Sequence, residues 1–222
     1  MNKYLFLLMA VFVMTLSCNK EAEDNGNNSN ENSGSSDDYT LLLQELNAAR
    51  TNPAAYAKII ETAYLPYYEG TYLKIPGALV LITNEGKAAC EEAISFMKEQ
   101  SSMAALELNT GLNKAAQNLC NEQSKSGDTG HFSADGKAPK DRMQLFGTFS
   151  PAAWACGESI SYGSPSARRA VIDMLIDDGV NSRGHRTTLM SGNWTHVGFG
   201  WASHPTYRTM YVMDFAAGYA AD

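Results

Sequence analysis

The chain has 222 residues, 44% of them apolar, and its 24 acids against 17 bases give a formal charge of −7. That apolar content suits one domain of ordinary size with a sizeable core. The net negative balance argues against a nucleic-acid partner, which needs a basic face.

The first 17 residues stand apart from the fold. Lys3 supplies a positive start, Tyr4 to Leu16 is an unbroken apolar run of 13 residues, and Ser17-Cys18 closes it. Such a run is shorter than the ~20 residues a spanning helix needs and reads as a secretory signal. Thr-Leu-Ser-Cys18 resembles a bacterial lipobox, whose cysteine becomes the lipidated first residue, so a membrane is the expected partner through lipid on Cys18. Residues 19–38 hold six acids and one Lys, with no apolar side chain larger than Ala22, as expected of a flexible tether. The expected division is a lipoprotein signal peptide over 1–17, the lipidated Cys and acidic Asn/Ser/Gly tether over 18–38, and a folded domain over 39–222. The expected location is the bacterial cell envelope, lipid-anchored at the outer membrane. The acidic tract after Cys18 resembles a surface-export signal.

Within the domain, Leu42, Leu43, Leu46 and Ala49 recur at helical spacing after Asp38, a candidate N-cap. Asn52-Pro53 restarts a helix, with Asn as cap and Pro in the first turn. Residues 64–76 hold four tyrosines, two prolines and a glycine, and read as an irregular aromatic loop packed on the domain. Asn84 to Gln100 carries the apolar stripe Ala88, Ala89, Ala93, Phe96 and Met97, while Leu112, Ala115, Ala116, Leu119 and Cys120 form a clear amphipathic stripe. Ser126 to Gly136 is dense in turn residues around His131, Asp141 to Phe146 reads as a short helix, and a longer one runs from Ser164 or Pro165 to Asp178.

Strands are legible only late. Gly157 to Tyr162 alternates weakly; Thr195 to Trp201 places Val197, Phe199 and Trp201 on one face; Tyr207 to Ala216 alternates across Asp214, with Ala-Ser-His-Pro as the connecting hairpin. Helices followed by a small antiparallel sheet point to an α+β fold. Of the cysteines after Cys18, Cys90, Cys120 and Cys156 read as buried free thiols, with a Cys120–Cys156 bridge as the alternative.

All four histidines fall between 131 and 204, with no HExxH, HxH or Cys/His knuckle. Ser161-Tyr-Gly-Ser164 is not a nucleophile elbow, and no cysteine has an electropositive setting. Leu175 to Arg186 draws the eye: two carboxylates at a helix C-terminus, where the dipole disfavours them, then a Gly-rich turn and His185. His131, Glu158, the Asp177/Asp178 pair and His185 are the candidate site residues. Two imidazoles and two carboxylates suit a divalent metal or general acid/base work; each alone also reads as an ordinary solvated residue. His196 reads as structural and His204 as exposed in the hairpin.

Ser182-Arg-Gly-His185-Arg-Thr-Thr-Leu-Met190 and Thr195-His-Val-Gly-Phe-Gly200 resemble the signature of the CAP superfamily of cysteine-rich secretory, antigen 5 and pathogenesis-related 1 proteins. Further matches follow in order: Glu45-Leu-Asn-Ala-Ala-Arg50, Leu112-Asn-Lys-Ala-Ala116, Gly130-His-Phe-Ser133, Gly157-Glu-Ser-Ile160 and Met213-Asp-Phe-Ala-Ala-Gly-Tyr219. The resemblance implies an α-β-α sandwich, a small antiparallel sheet between helical layers, with a large open cleft. It implies a tetrad of His131, Glu158, His185 and a second acid, with Asp178 in that place and Asp177 as the neighbour able to substitute. Such a tetrad can bind a divalent ion, zinc above all. Three departures stand out: Gly-Glu-Ser replaces the usual Gly-Glu-Asn, Asp replaces Glu as the second acid, and the disulfides of eukaryotic members are not recognisable.

Without a legible nucleophile, the leading expectation is a non-enzymatic, envelope-anchored domain binding a small lipid-like or cell-wall glycan ligand. The alternatives are a zinc-dependent hydrolase or peptidase, and an adhesion or signalling module presenting the 64–72 aromatic loop. Nothing in the sequence fixes an oligomeric state.

Overall fold

The computed structural model describes residues 36–222, with side chains from Tyr39 onward. The signal peptide, lipidation at Cys18 and nearly all of the tether expected over 18–38 lie outside the described residues. Helix α1 (Ser36–Thr51) begins ahead of Asp38, which therefore lies inside the helix rather than capping it. Helix α2 (Pro53–Ala63) starts as its sequence dictates: the Asn52 side chain accepts from Ala55 N at 3.2 Å, with Pro53 in the first turn.

The aromatic stretch that follows is more regular than its composition suggests. A 3₁₀ turn (Leu65–Tyr67) leads into β1 (Tyr68–Glu69), β2 (Tyr72–Leu73) and β3 (Leu81–Ile82), a small antiparallel sheet. Two-residue strands carry no readable alternation, which is why periodicity missed them. Helix α3 (Lys87–Glu99) starts three residues later than expected. The delay comes from Gly86, which sits at φ 65° with its Cα against the Gly70 carbonyl; a Cβ there would lie 2.4 Å from that oxygen.

Next come β4 (Glu107–Leu108), α4 (Thr110–Ser126), α5 (Pro139–Met143), β5 (Gly147–Phe149) and β6 (Ala155–Tyr162). Asn109 caps α4, accepting from Gly111 N and Leu112 N. Helix α6 (Ala167–Ile176), capped by Ser166, is followed by α7 (Gly184–Leu189), a short helix hidden in what reads as a Gly-rich turn. The chain ends with β7 (His196–His204), β8 (Arg208–Ala217) and β9 (Tyr219–Ala221), the last pairing with β5.

The central sheet has the order β4-β7-β8-β6. Strands β7, β8 and β6 are antiparallel, and the two-residue β4 joins β7 in parallel. One face, with Val197, Phe199, Tyr211, Met213 and Phe215, packs into the main core with α1, α2, α3 and α6. The other face packs Val212, Met210 and Ile160 against Ala116, Leu119 and Cys120 of α4. The result is the α+β layering of helices on both faces of a small sheet.

The approach of α4 to β7 is close because the strand offers Gly198 and Gly200 there. A Cβ on Gly198 would lie 2.2 Å from the Leu112 carbonyl carbon, and one on Gly200 2.5 Å from that of Ala116. Beyond β4, the polar edge of β7 is closed by α4 side chains. Asn113 Oδ1 accepts from Phe199 N at 2.8 Å, and Gln117 Oε1 from Trp201 N at 3.1 Å, so this edge is no template for another strand.

The Glu45–Arg50 motif is structural. Asn47 makes a two-way amide bridge to the Leu106 backbone. Arg50 is buried and donates to Leu189 O at 2.7 Å and Ser191 O at 2.8 Å, tying α1 to the end of α7. Cys90, Cys120 and Cys156 are all free thiols, the first two buried and the third half-buried.

Candidate functional site

Strand β6 is the outer strand of the central sheet and carries Glu158. The Glu158 side chain is only 1% exposed. Its Oε1 accepts from His131 Nδ1 at 2.7 Å, and its Oε2 pairs with Arg142 of α5. Arg142 is wholly buried and also donates from Nη1 to the carbonyls of His131, at 2.6 Å, and Lys137, at 3.2 Å. One guanidinium thus neutralises the acid and pins the loop bearing the histidine. The imidazole in front remains 46% exposed.

The second pair has the same design on different elements. Asp177 follows α6 in a left-handed conformation, φ 55° and ψ 44°. That conformation turns its side chain back beneath α7. Its Oδ1 accepts from His185 Nδ1 at 2.7 Å, and its Oδ2 accepts from the backbone amides of His185, at 2.9 Å, and Arg186, at 3.3 Å. The carboxylate is 2% exposed and the imidazole 29%.

Asp178, placed in the tetrad by its alignment, faces elsewhere. Its oxygens accept from Asn84 N (2.6 Å), Asn84 Nδ2 (3.1 Å) and Glu85 N (2.8 Å), holding the turn before α3. Glu85 in turn takes a bidentate fork from Arg183, which holds its carboxyl down to about 2. The acid that meets His185 is therefore Asp177.

The two pairs flank one segment of β6. Glu158 points to the α5 side of the sheet. The preceding Gly157 faces the other side, where a Cβ would lie 3.0 Å from the Trp194 ring and 3.5 Å from Thr188 of α7, the helix that carries His185. A carboxylate only accepts, so each neutral ring carries its proton on Nδ1 and leaves a lone pair on Nε2. This acid-behind-imidazole arrangement fixes ring orientation and raises ligand basicity.

His131 and His185 are the residues whose imidazole nitrogens could each serve as a donor to a divalent metal. The arrangement does not fit a four-ligand set. Among the described residues, no three His, Cys, Asp or Glu side chains gather as a metal-binding group. Glu158 and Asp177 spend their oxygens on the histidines, Arg142 and the α7 amides, so they are orienting groups.

Sequence reasoning missed two residues behind Glu158. Arg142 gave no signal beyond lying in a short helical stretch. Asp214 gave one: an acid on the same strand face as Met210 and Val212. It lies directly opposite Glu158 in the β6–β8 register and is fully buried, and neither oxygen has a hydrogen-bond partner among the described residues. Burial first, and the Glu158 charge second, push its pKa well above the carboxylate range, against the pull of Arg142.

The folded protein therefore holds the Asp214 proton to a higher pH than the unfolded chain, which releases it near pH ~4. The stability this group confers is present below that pH and declines as pH rises toward the folded value. Asp214→Asn should flatten the fall of Tm between pH 4.5 and 8 and be at least as stable as the parent at pH 8. A variant that loses more stability at pH 8 than at pH 4.5 would show an ionised Asp214.

His204 is 2% exposed rather than open to solvent. Its Nε2 donates to Asp128 O and its Nδ1 accepts from Thr206 N and Tyr207 N, a wholly structural use. His196 stands at the start of β7, its Nδ1 2.8 Å from Thr195 Oγ1. The thiols are unsuited to nucleophilic work: burial pushes Cys90 up to about 12 and raises Cys120 and Cys156 as well. A groove of about 770 Å³ adjoins the first pair through Phe132, Ser133 and Ala134, running along the end of α4.

No curated protein matches the chain. Among solved structures, an outer surface protein from Borrelia burgdorferi is similar at 18% identity and a TM-score of 0.42, over 52% of this chain and 80% of that one. An extracellular protein containing an SCP domain from Bacillus anthracis is similar at 21% identity and a TM-score of 0.40, over 51% of this chain and 34% of that one. The model of the cysteine-rich secretory protein family, CAP, matches residues 43–215, which include both histidine–acid pairs. The chain belongs to the CAP family of cysteine-rich secretory proteins.

Proposed function

We propose that the protein is an envelope-anchored, non-enzymatic CAP domain that holds a divalent ion, zinc above all, between His131 and His185, and binds a small lipid-like or cell-wall glycan ligand beside it. The observation that carries this reading is the matched pair of imidazoles, His131 exposed and His185 half-buried, each backed through Nδ1 by a buried carboxylate. Two rings oriented this way present lone pairs rather than protons to the solvent side. The bound ion would supply a Lewis-acidic contact for an oxygen of the ligand.

The non-enzymatic part is supported by where the acids are spent. A hydrolase of this design needs a carboxylate free to take a proton from water, whereas every oxygen of Glu158 and Asp177 is already hydrogen-bonded. Asp178 is committed to the Asn84–Glu85 turn. The adhesion alternative loses most of its surface, since Tyr64 is buried and Tyr67 and Tyr68 pack against the core. Anchoring is supported by the lipobox-like Thr-Leu-Ser-Cys18, and no helix among the described residues is long and apolar enough to cross a membrane.

Titration of the purified protein with zinc by calorimetry tests the reading. One-to-one binding should weaken about tenfold or more in His131→Ala and again in His185→Ala, the scale on which lost ligands and their supporting groups act. Wild-type protein that takes up no zinc, or binding indifferent to both changes, would refute it.

A further inference from the structure

The segment between β2 and α3 exposes a run of large apolar side chains. Leu79, Val80 and Ile82 are 67%, 55% and 56% exposed, and Leu81 is 38% exposed. From Ile75 to Ile82 the chain has no charged or hydrogen-bonding side chain. Gly77, at φ 77° with open space around it, turns the segment outward, and the bond from Ala78 N to Ile75 O closes the turn. Tyr72, 47% exposed, pairs with Ile82 and extends the patch, and the ammonium of Lys74 lies over its ring. Isolated exposed apolar residues are ordinary, but a contiguous patch rimmed by polar groups marks an interaction surface.

The occupant follows from the size of the patch and from the chain outside the described fold. Four or five side chains are far fewer than the 20–30 residues a stable protein interface takes from each side. They suffice for shallow insertion at a bilayer surface, where an aromatic tip and a lysine suit the headgroup level. Residues 19–35 would let a domain anchored at Cys18 range over at most ~60 Å, so the bilayer is always within reach.

We propose that the Leu79–Ile82 tip inserts into the membrane as a reversible second contact, holding the CAP domain against the lipid surface. The inference rests on the envelope-anchored reading for its geometry, but the tip's affinity for lipid is independent of acylation.

The test uses residues 18–222 with Cys18→Ser, which removes both the acyl attachment and the apolar run over 4–16 that would itself enter vesicles, and the same chain with Leu79→Glu and Ile82→Glu added. Each is sedimented with vesicles of phosphatidylethanolamine and phosphatidylglycerol at low and high salt. The Cys18→Ser chain should partition onto vesicles with little salt dependence. The added acids should lower that partition about tenfold or more, with the melting temperature unchanged because the tip makes few packing contacts. No binding by the Cys18→Ser chain, or equal binding by both, overturns the proposal. Concentration-dependent dimers abolished by the two acids, without vesicle binding, would overturn it in favour of a second copy of the chain. Mass spectrometry of the parent chain is read separately: an unacylated Cys18 defeats the anchoring reading and leaves the tip's lipid affinity standing or falling on the vesicle result.

Discussion

Arg142→Met should cost about 3–5 kcal/mol of stability, because it leaves the buried Glu158 carboxylate without its cation. For a domain of this size that is a fall in Tm of roughly 10 °C. The damage has a second part. The same guanidinium donates to the His131 and Lys137 carbonyls, so its loss frees the loop that carries the first histidine. Adding Glu158→Gln should recover part of the stability by removing the stranded charge, but it should not restore His131 to its place. Thermal denaturation of the single and double variants checks this. A single variant within about 1 kcal/mol of the parent would mean that the pair behaves as a surface salt bridge and that Glu158 is not held as described.

Gly198→Val should prevent the domain from folding, and Gly198→Ala should destabilise it by about 3 kcal/mol or more. The added Cβ would meet the backbone of Leu112 and Asn113 at 2.2 and 2.3 Å, and backbone atoms of a helix cannot step aside singly. Moving α4 outward would pull Asn113 and Gln117 from the β7 amides they satisfy and open the Ala116–Val212 packing. Gly192→Ala is the control, since nothing lies within 4 Å of its added carbon. Urea melts of the three variants measure the difference. Equal midpoints for Gly198→Ala and Gly192→Ala would show that α4 has slack the packing does not suggest.

The parts legible in the sequence are those that depend on local order. The apolar stripe of α4, the Asn52 cap of α2 and the β7–β8 hairpin follow from spacing within a few residues. The hairpin strands face as expected, with Val197 and Phe199 in the main core and Trp201 packed against it. The two-residue strands β1 to β3 and the six-residue α7 were invisible because so few residues complete no period.

The site was legible only as a set of residues, and its wiring was not. His131, Glu158 and His185 came from motifs scattered over 55 positions, and no spacing rule joins them. The choice between Asp177 and Asp178 turned on one dihedral. Helix α6 ends at Ile176, and the left-handed turn at Asp177 sends consecutive side chains to His185 and to Asn84. Asp is tolerated there because its short polar chain bonds locally, a preference that does not say which of two adjacent aspartates turns. Arg142 and Asp214 meet Glu158 only through tertiary contact and cross-strand register, which local pattern does not encode.

Buried acids should hold both imidazoles with Nδ1 protonated and the Nε2 lone pair open to a ligand. Long-range ¹H–¹⁵N spectra of the imidazole rings, recorded above pH 7 with and without zinc, read this directly. In the free protein His131 and His185 should show the Nδ1–H tautomer, and zinc should shift only their Nε2 nuclei, with His196 and His204 unmoved. Nε2–H tautomers at either ring, or a zinc response at His196 or His204 in their place, would contradict it.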